Sequence, residues 1–112
     1  SLPAPLAGCF HMTMVLSDAL FLDQTPDTFR TVYDSKIRVF EVFYGAVEIQ
    51  RLDFVVVISS FSGLVGVPGQ SNYASACNAL DGALSRHPNA FSLIAPGIWM
   101  RGIWLVCANM HP

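Results

Sequence analysis

Six consecutive residues in the middle of the chain, Phe54-Val55-Val56-Val57-Ile58-Ser59, carry four β-branched side chains and no charge. The run is too short for a helix and lacks the alternation of a half-wet strand. It predicts a strand buried on both faces, the kind found in parallel sheets. Parallel strands need long crossovers, usually helical, and the flanks supply them. Residues 7–12 (Ala-Gly-Cys-Phe-His-Met) are a short apolar run suited to a first strand. Gln24-Thr25-Pro26-Asp27 is a helix start: Thr25 can cap, Pro26 takes the first helical position, and Asp27 complements the dipole. Phe29, Val32, Tyr33, Ile37, Phe40, Phe43, Tyr44 and Val47 then recur at helical spacing, which predicts a helix from Pro26 to about Glu48. After a glycine-punctuated loop from Ser60 to Gln70, Ser71 to Arg86 predicts a second helix. Its small residues (Ala74, Ser75, Ala76, Ala79) allow close packing. Residues 90–95 predict a third strand, ended by Pro96-Gly97. The expected fold is α/β, a parallel sheet of right-handed βαβ units with flanking helices. Two helices cannot cover both faces of a wide sheet, so the fold reads as unfinished.

Composition narrows the function classes. With 112 residues the chain holds one domain, and 53% hydrophobic against 12% charged residues is the balance of a heavily buried piece. A net charge of −2 gives no electrostatic footprint for nucleic acid or an anionic membrane. Three scattered cysteines (Cys9, Cys77, Cys107) make no disulfide framework and suit a reducing compartment, so a cytoplasmic setting is expected. The start has no basic segment ahead of an apolar stretch, and the most apolar region is broken by Pro96, Gly97 and Arg101, so neither a signal peptide nor a membrane span is expected. A first residue of serine suggests a piece of something longer.

In open parallel sheets, ligands sit beyond the carboxyl ends of the strands. Ser60 ends the second strand there, and the helix start at Asn72-Tyr73 faces the same edge, so two hydroxyls and a positive helix end can converge. Lys36 is the only lysine. On position alone it snorkels its ammonium to water; the alternative puts its charge near Tyr73, where it would depress the phenol pKa. Other constellations are weaker. No GxSxG surrounds Ser60. Cys9/His11 and Cys107/His111 lack the spacings of common zinc fingers, so no metal is expected. Gly63, Gly66 and Gly69 do not have GxGxxG spacing and read as a loop that places Ser60 and Tyr73.

The stretch from Phe54 to Ser60, followed by Gly66-Val67-Pro68-Gly69-Gln70-Ser71-Asn72-Tyr73-Ala74, resembles the ketoreductase domain of type I polyketide synthases, a branch of the short-chain dehydrogenase/reductase superfamily. Gly8 to Ala19 and Asp34-Ser35-Lys36-Ile37 resemble that family's upstream segment and its catalytic-lysine stretch, and the wording is most similar to fungal iterative synthases. The resemblance covers roughly residues 6–97. It implies a Rossmann-like sheet of which this chain carries the catalytic half only: residues 1–97 as ketoreductase-like, 98–112 as a divergent tail. It implies NADPH-dependent reduction of a 3-oxoacyl thioester, carried on an acyl carrier protein, to the 3-hydroxy form, among other synthase domains in secondary metabolism. By resemblance Tyr73 is the proton donor, Ser60 orients the carbonyl, and Lys36 binds the cofactor ribose. Tyr73, Pro96 and Gly97 also lie on the cofactor side.

The sequence departs from the family at two places. Cys77 stands where an asparagine is usual, with Asn78 one residue later, and one helical step rotates a side chain by about 100°. The glycine-rich phosphate turn of an earlier βαβ half has no counterpart in this sequence. These departures support the alternative of a non-catalytic remnant or docking fragment. Leu16-Ser17-Asp18 keeps the last aspartate of a Leu-Asp-Asp motif that marks D-configured products, and Val65 stands where enzymes of opposite hand tend to carry tryptophan. Asp18 reads equally well as a capping or turn residue.

Overall fold

The computed structural model describes residues 6–95; Pro96, Gly97 and the tail to residue 112 lie outside the described residues. Strands β1 (Gly8–His11), β2 (Phe54–Ser60) and β3 (Ala90–Ala95) form one parallel sheet with β2 in the centre. Phe10 lies opposite Val56, and Val56 opposite Phe91. Side chains alternate along a strand, so Val55, Val57 and Ser59 share one face, where they are buried. Phe10, Val56, Ile58, Phe91 and Leu93 share the other.

The described helices cover only the first face. Phe91, Leu93 and Phe10 on the second are 58%, 50% and 47% exposed. The expectation that β2 is buried on both faces is therefore corrected. It alternates buried and half-buried, because no described element lies over Val56 and Ile58. The core under the helices joins Ile37, Phe40, Ile49, Leu52, Val55, Val57, Leu80 and Leu84.

The long helix begins as expected. Thr25 accepts the Thr28 N–H in a reciprocal capping box, with Pro26 at the first position. It is not uniform, however. Helix α1 (Pro26–Tyr33) passes through a π-helical turn at Asp34–Arg38 into α2 (Val39–Ala46), with the Val39 N–H reaching back to the Asp34 carbonyl. A π turn is wider than an α turn, so the adjacent residues Lys36 and Ile37 are both buried. The helix stops at Ala46, two residues short of the expected end, where Val47 becomes extended.

The expected loop after β2 contains a four-residue helix, α3 (Ser62–Val65), closed by Gly66 at φ +73°. Gly69, at φ +82°, then turns the chain into α4 (Ser71–Leu84). Both angles lie in the left-handed region that glycine adopts without strain.

Candidate active site

Three segments meet at the carboxyl end of β2: the loop after β1, the π turn, and the first turns of α4. Asn72 ties the start of α4 to the loop after β1 and to helix α1. It is 1% exposed, its amide donates to the carbonyls of Ser17 (2.7 Å) and Thr28 (3.3 Å), and its Oδ1 accepts the Tyr73 N–H at 2.8 Å. Sequence reasoning placed Asn72 at the helix start but missed this role. Its partners lie 55 and 44 residues away in sequence, so no local pattern could reveal it.

Tyr73 is buried against Val32, Ala76, Cys77 and Met14. Its hydroxyl lies beside the hydroxyl of Ser60 and the thiol of Cys77. Ser60 Oγ accepts the Ser62 N–H at 3.2 Å, which leaves its own hydrogen free to donate toward Tyr73 or a ligand oxygen. Lys36 does not snorkel. It is 1% exposed, its Nζ lies 5.3 Å from the Tyr73 ring centroid, and it donates to the carbonyls of Ile58 (3.2 Å) and Thr13 (3.4 Å). The wide turn makes this possible, by turning Lys36 inward together with Ile37.

The electrostatics are those of a dry site. Burial pushes the Lys36 pKa down, while Cys77 and Asp81 oppose the shift. Burial pushes the Tyr73 phenol up, reinforced by Cys77, while the Ser60 hydroxyl works the other way. The expectation of a depressed phenol is thus corrected. Lys36 does lie beside Tyr73, but desolvation outweighs it, and Tyr73 stands as a protonated donor. Burial also pushes the Cys77 thiol up, while the Lys36 charge and the hydroxyls of Tyr73 and Ser59 work the other way.

His11 sits at the end of β1 with Nε2 3.1 Å from Thr13 Oγ1, its pKa lowered by burial and by the Lys36 charge. The unfolded chain, with an ordinary histidine near 6.5, therefore binds more protons than the fold just below that pH. Stability should fall as pH drops through about 6.5, and His11→Phe should flatten that slope in urea-denaturation midpoints measured across pH. An unchanged acid limb would place the titrating group elsewhere.

Asp18 is drawn to the rim. Its carboxylate accepts from the Gln70 amide at 3.1 Å, and Gln70 Oε1 accepts from Ser62 Oγ at 2.8 Å, beside Ser60. Asn78 is exposed, and its Oδ1 stands over Gly63 of α3 rather than over Lys36. Tyr73, Ser60 and Lys36 are brought together, Asp18 reaches the margin, and Asn78 faces away. Pro96 and Gly97 lie outside the described residues. Among the described residues, no group of three or more His, Cys, Asp or Glu could hold a metal ion, and no helix is long and apolar enough to cross a membrane.

A nicotinamide cofactor fits this cluster at one end only. The Lys36 ammonium has three donors and spends two on carbonyls, leaving one for a sugar hydroxyl beside Tyr73. Among the described residues, no phosphate cradle accompanies it. The glycine loop instead packs on the segment after β1, where the Ala19 N–H donates to the Gly69 carbonyl at 3.0 Å.

The sequence matches the family described as KR domain over residues 1–98. It is 42% identical over 98 residues to the highly reducing polyketide synthase stpks1 of Strobilurus tenacellus, covering 88% of this chain and 3% of that protein. It is 46% identical over 77 residues to the highly reducing polyketide synthase g433 of a Fusarium species, covering 69% of this chain and 3% of that one. The crystal structure of an N-terminal ketoreductase from the macrolactin assembly line superposes with a TM-score of 0.75 at 28% identity, over 81% of this chain and 20% of the other. The chain thus spans a few hundredths of the length of these synthases.

Proposed function

From the premise that this chain belongs to the KR domain family, the ketoreductase units of polyketide synthases, we propose that it forms the catalytic part of an NADPH-dependent ketoreductase acting on a 3-oxoacyl thioester. The observation that carries this reading is the convergence of Ser60 and buried Lys36 on Tyr73 at the carboxyl edge of a parallel sheet. NADPH, when bound, supplies a hydride to the ketone carbon. Tyr73 delivers a proton to the ketone oxygen. Ser60, with its oxygen fixed by the Ser62 N–H, directs its hydrogen at the same oxygen, where negative charge develops. The Lys36 ammonium beneath the ring stabilises the phenolate left behind and offers its spare hydrogen to the cofactor ribose. Pro96 and Gly97 belong to the cofactor side of this proposal. The substrate is carried by an acyl carrier protein, and the other synthase domains, working in the cytoplasm, are the natural partners.

A second reading, a non-catalytic remnant, is favoured by Cys77, which stands where the family usually carries an asparagine. Calorimetric titration with NADPH separates the two. The complete protein carrying this segment should bind NADPH and reduce a 3-oxoacyl thioester. The 112 residues alone should bind it weakly or not at all, because they lack the backbone donors that hold a pyrophosphate. Low-micromolar affinity for the isolated chain would refute the half-site reading, and a complete protein without NADPH affinity would favour the remnant.

The position of Asp18 at the rim supports a stereochemical assignment. Bonded through Gln70 to Ser62, it stands where it can bias which ketone face meets the cofactor. A difference of about 1.4 kcal/mol between two bound orientations gives tenfold selectivity. The expected alcohol is D-configured (3R in simple chains), measured by chiral chromatography of the product. A predominantly L-configured alcohol would return Asp18 to a turn role.

A further inference from the structure

Lys36 is buried without a carboxylate at contact distance. The three ion pairs among the described residues, Arg30–Asp27, Arg38–Glu41 and Arg51–Glu48, are all exposed pairs within single helical turns. An ammonium held only by two carbonyls is costly to keep charged away from water. Four titratable side chains face it from the elements packed around it: His11 from β1, and Tyr73, Cys77 and Asp81 from α4. Of these, Asp81 alone is a carboxylate. Asp34 and Arg38, on the lysine's own turn, are exposed.

Asp81 follows Tyr73 by eight residues and Cys77 by four, so the three stack along one face of α4. Its two oxygens are bound to different strands. Oδ2 accepts the hydroxyl of Ser59 at 3.1 Å, and Oδ1 accepts that of Ser92 at 2.6 Å. Ser59 is 2% exposed on the helix-covered face of β2, next in sequence to Ser60 and to Ile58, whose carbonyl holds Lys36. The half-buried carboxylate is thereby tied to β2 through the buried Ser59 and to β3 through the exposed Ser92.

We infer that Asp81 is a positioning residue for the Lys36–Tyr73 pair: held by the hydroxyls of Ser59 and Ser92, its carboxylate is the fixed negative charge that keeps the buried ammonium protonated beneath the ring. The assignment rests on the ketoreductase reading for its purpose but not for its electrostatics. Cys77 first and Asp81 second favour the charged form of Lys36; of the two only Asp81 is a carboxylate, and the single lysine of the chain makes its share directly measurable.

The experiment labels lysine with carbon-13 at the ε position and titrates the one resulting NMR signal in the full chain, with circular dichroism as the check of folding. Asp81→Asn keeps the shape but removes the charge, and should lower the Lys36 midpoint by about 0.5–1 pH unit. Asp81→Glu should recover most of the loss. A midpoint in Asp81→Asn equal to that of the unsubstituted chain overturns the assignment. Should Asp81→Asn unfold, Ser92→Ala decides: a lowered midpoint upholds the role, and an unchanged one overturns it. In the complete protein, the alkaline limb of ketone reduction should move down with the midpoint. If it stays fixed while reduction proceeds, the positioning role fails. If no ketone is reduced yet the midpoint still moves, the functional reading fails and the charge assignment stands.

Discussion

Tyr73→Phe in the complete protein should lower the turnover of ketone reduction by about 10²–10⁴-fold, the usual contribution of a positioned acid, and leave NADPH affinity within about twofold. The reason is how little else the substitution changes. The ring keeps its packing on Val32, Ala76, Cys77 and Met14, and Lys36 keeps its carbonyl partners. Only the hydroxyl beside Ser60 and Cys77 is lost. Following NADPH consumption by absorbance gives the rate, and a fluorescence titration gives the affinity. A variant that retains most of its rate would show that the proton comes from another group.

Lys36→Met should separate stability from activity. Removing a charge buried to 1% exposure relieves a desolvation cost of several kcal/mol, and methionine fills nearly the same volume. Against this stand two carbonyls that lose a donor, at about 1–3 kcal/mol for each one left unsatisfied. The two effects are of similar size, so the melting temperature should stay level or rise slightly. Turnover and NADPH affinity should both fall by at least about tenfold, since the ammonium serves the ribose and the phenolate together. A large drop in melting temperature with activity retained would make Lys36 a structural tether between the Thr13 and Ile58 carbonyls.

The sheet and the pair of helices were legible because their signals are local. The β-branched run at residues 54–59 and the Thr25-Pro26 start specify their elements without help from distant parts of the chain. The π turn was not legible. Tyr33 and Ile37 keep an ordinary four-residue interval, yet Tyr33 is 44% exposed while Lys36 and Ile37 turn inward together. A stripe of apolar residues does not reveal one extra residue when its exposed members are apolar too.

Tyr73, Ser60 and Lys36 were singled out in the sequence by resemblance, and their convergence follows from the geometry of parallel strands. Asn72 and Asp81 were assigned no site role from sequence, because their hydrogen-bond partners lie on separate elements at long range. The snorkelling reading of Lys36 failed for a related reason. The carbonyls of Thr13 and Ile58 that replace water around its ammonium come from two other parts of the chain.

An α-helix returns to the same face about every 3.6 residues, so a shift of one residue ordinarily swings everything downstream through about 100°. At Asp34–Arg38 the chain absorbs one such step within a single turn. The two halves of the helix therefore run at different phases. Val32, before the seam, is in register with Tyr73 and Cys77, whereas Ile37 and Phe40, after it, are in register with Val55, Val57 and Leu80. Each half answers to its own neighbours, so drift in the packing of α2 against the sheet is not transmitted as a rotation of α1 against Tyr73. Lys36 stands on the seam itself, the one place from which a side chain can be set by both halves at once.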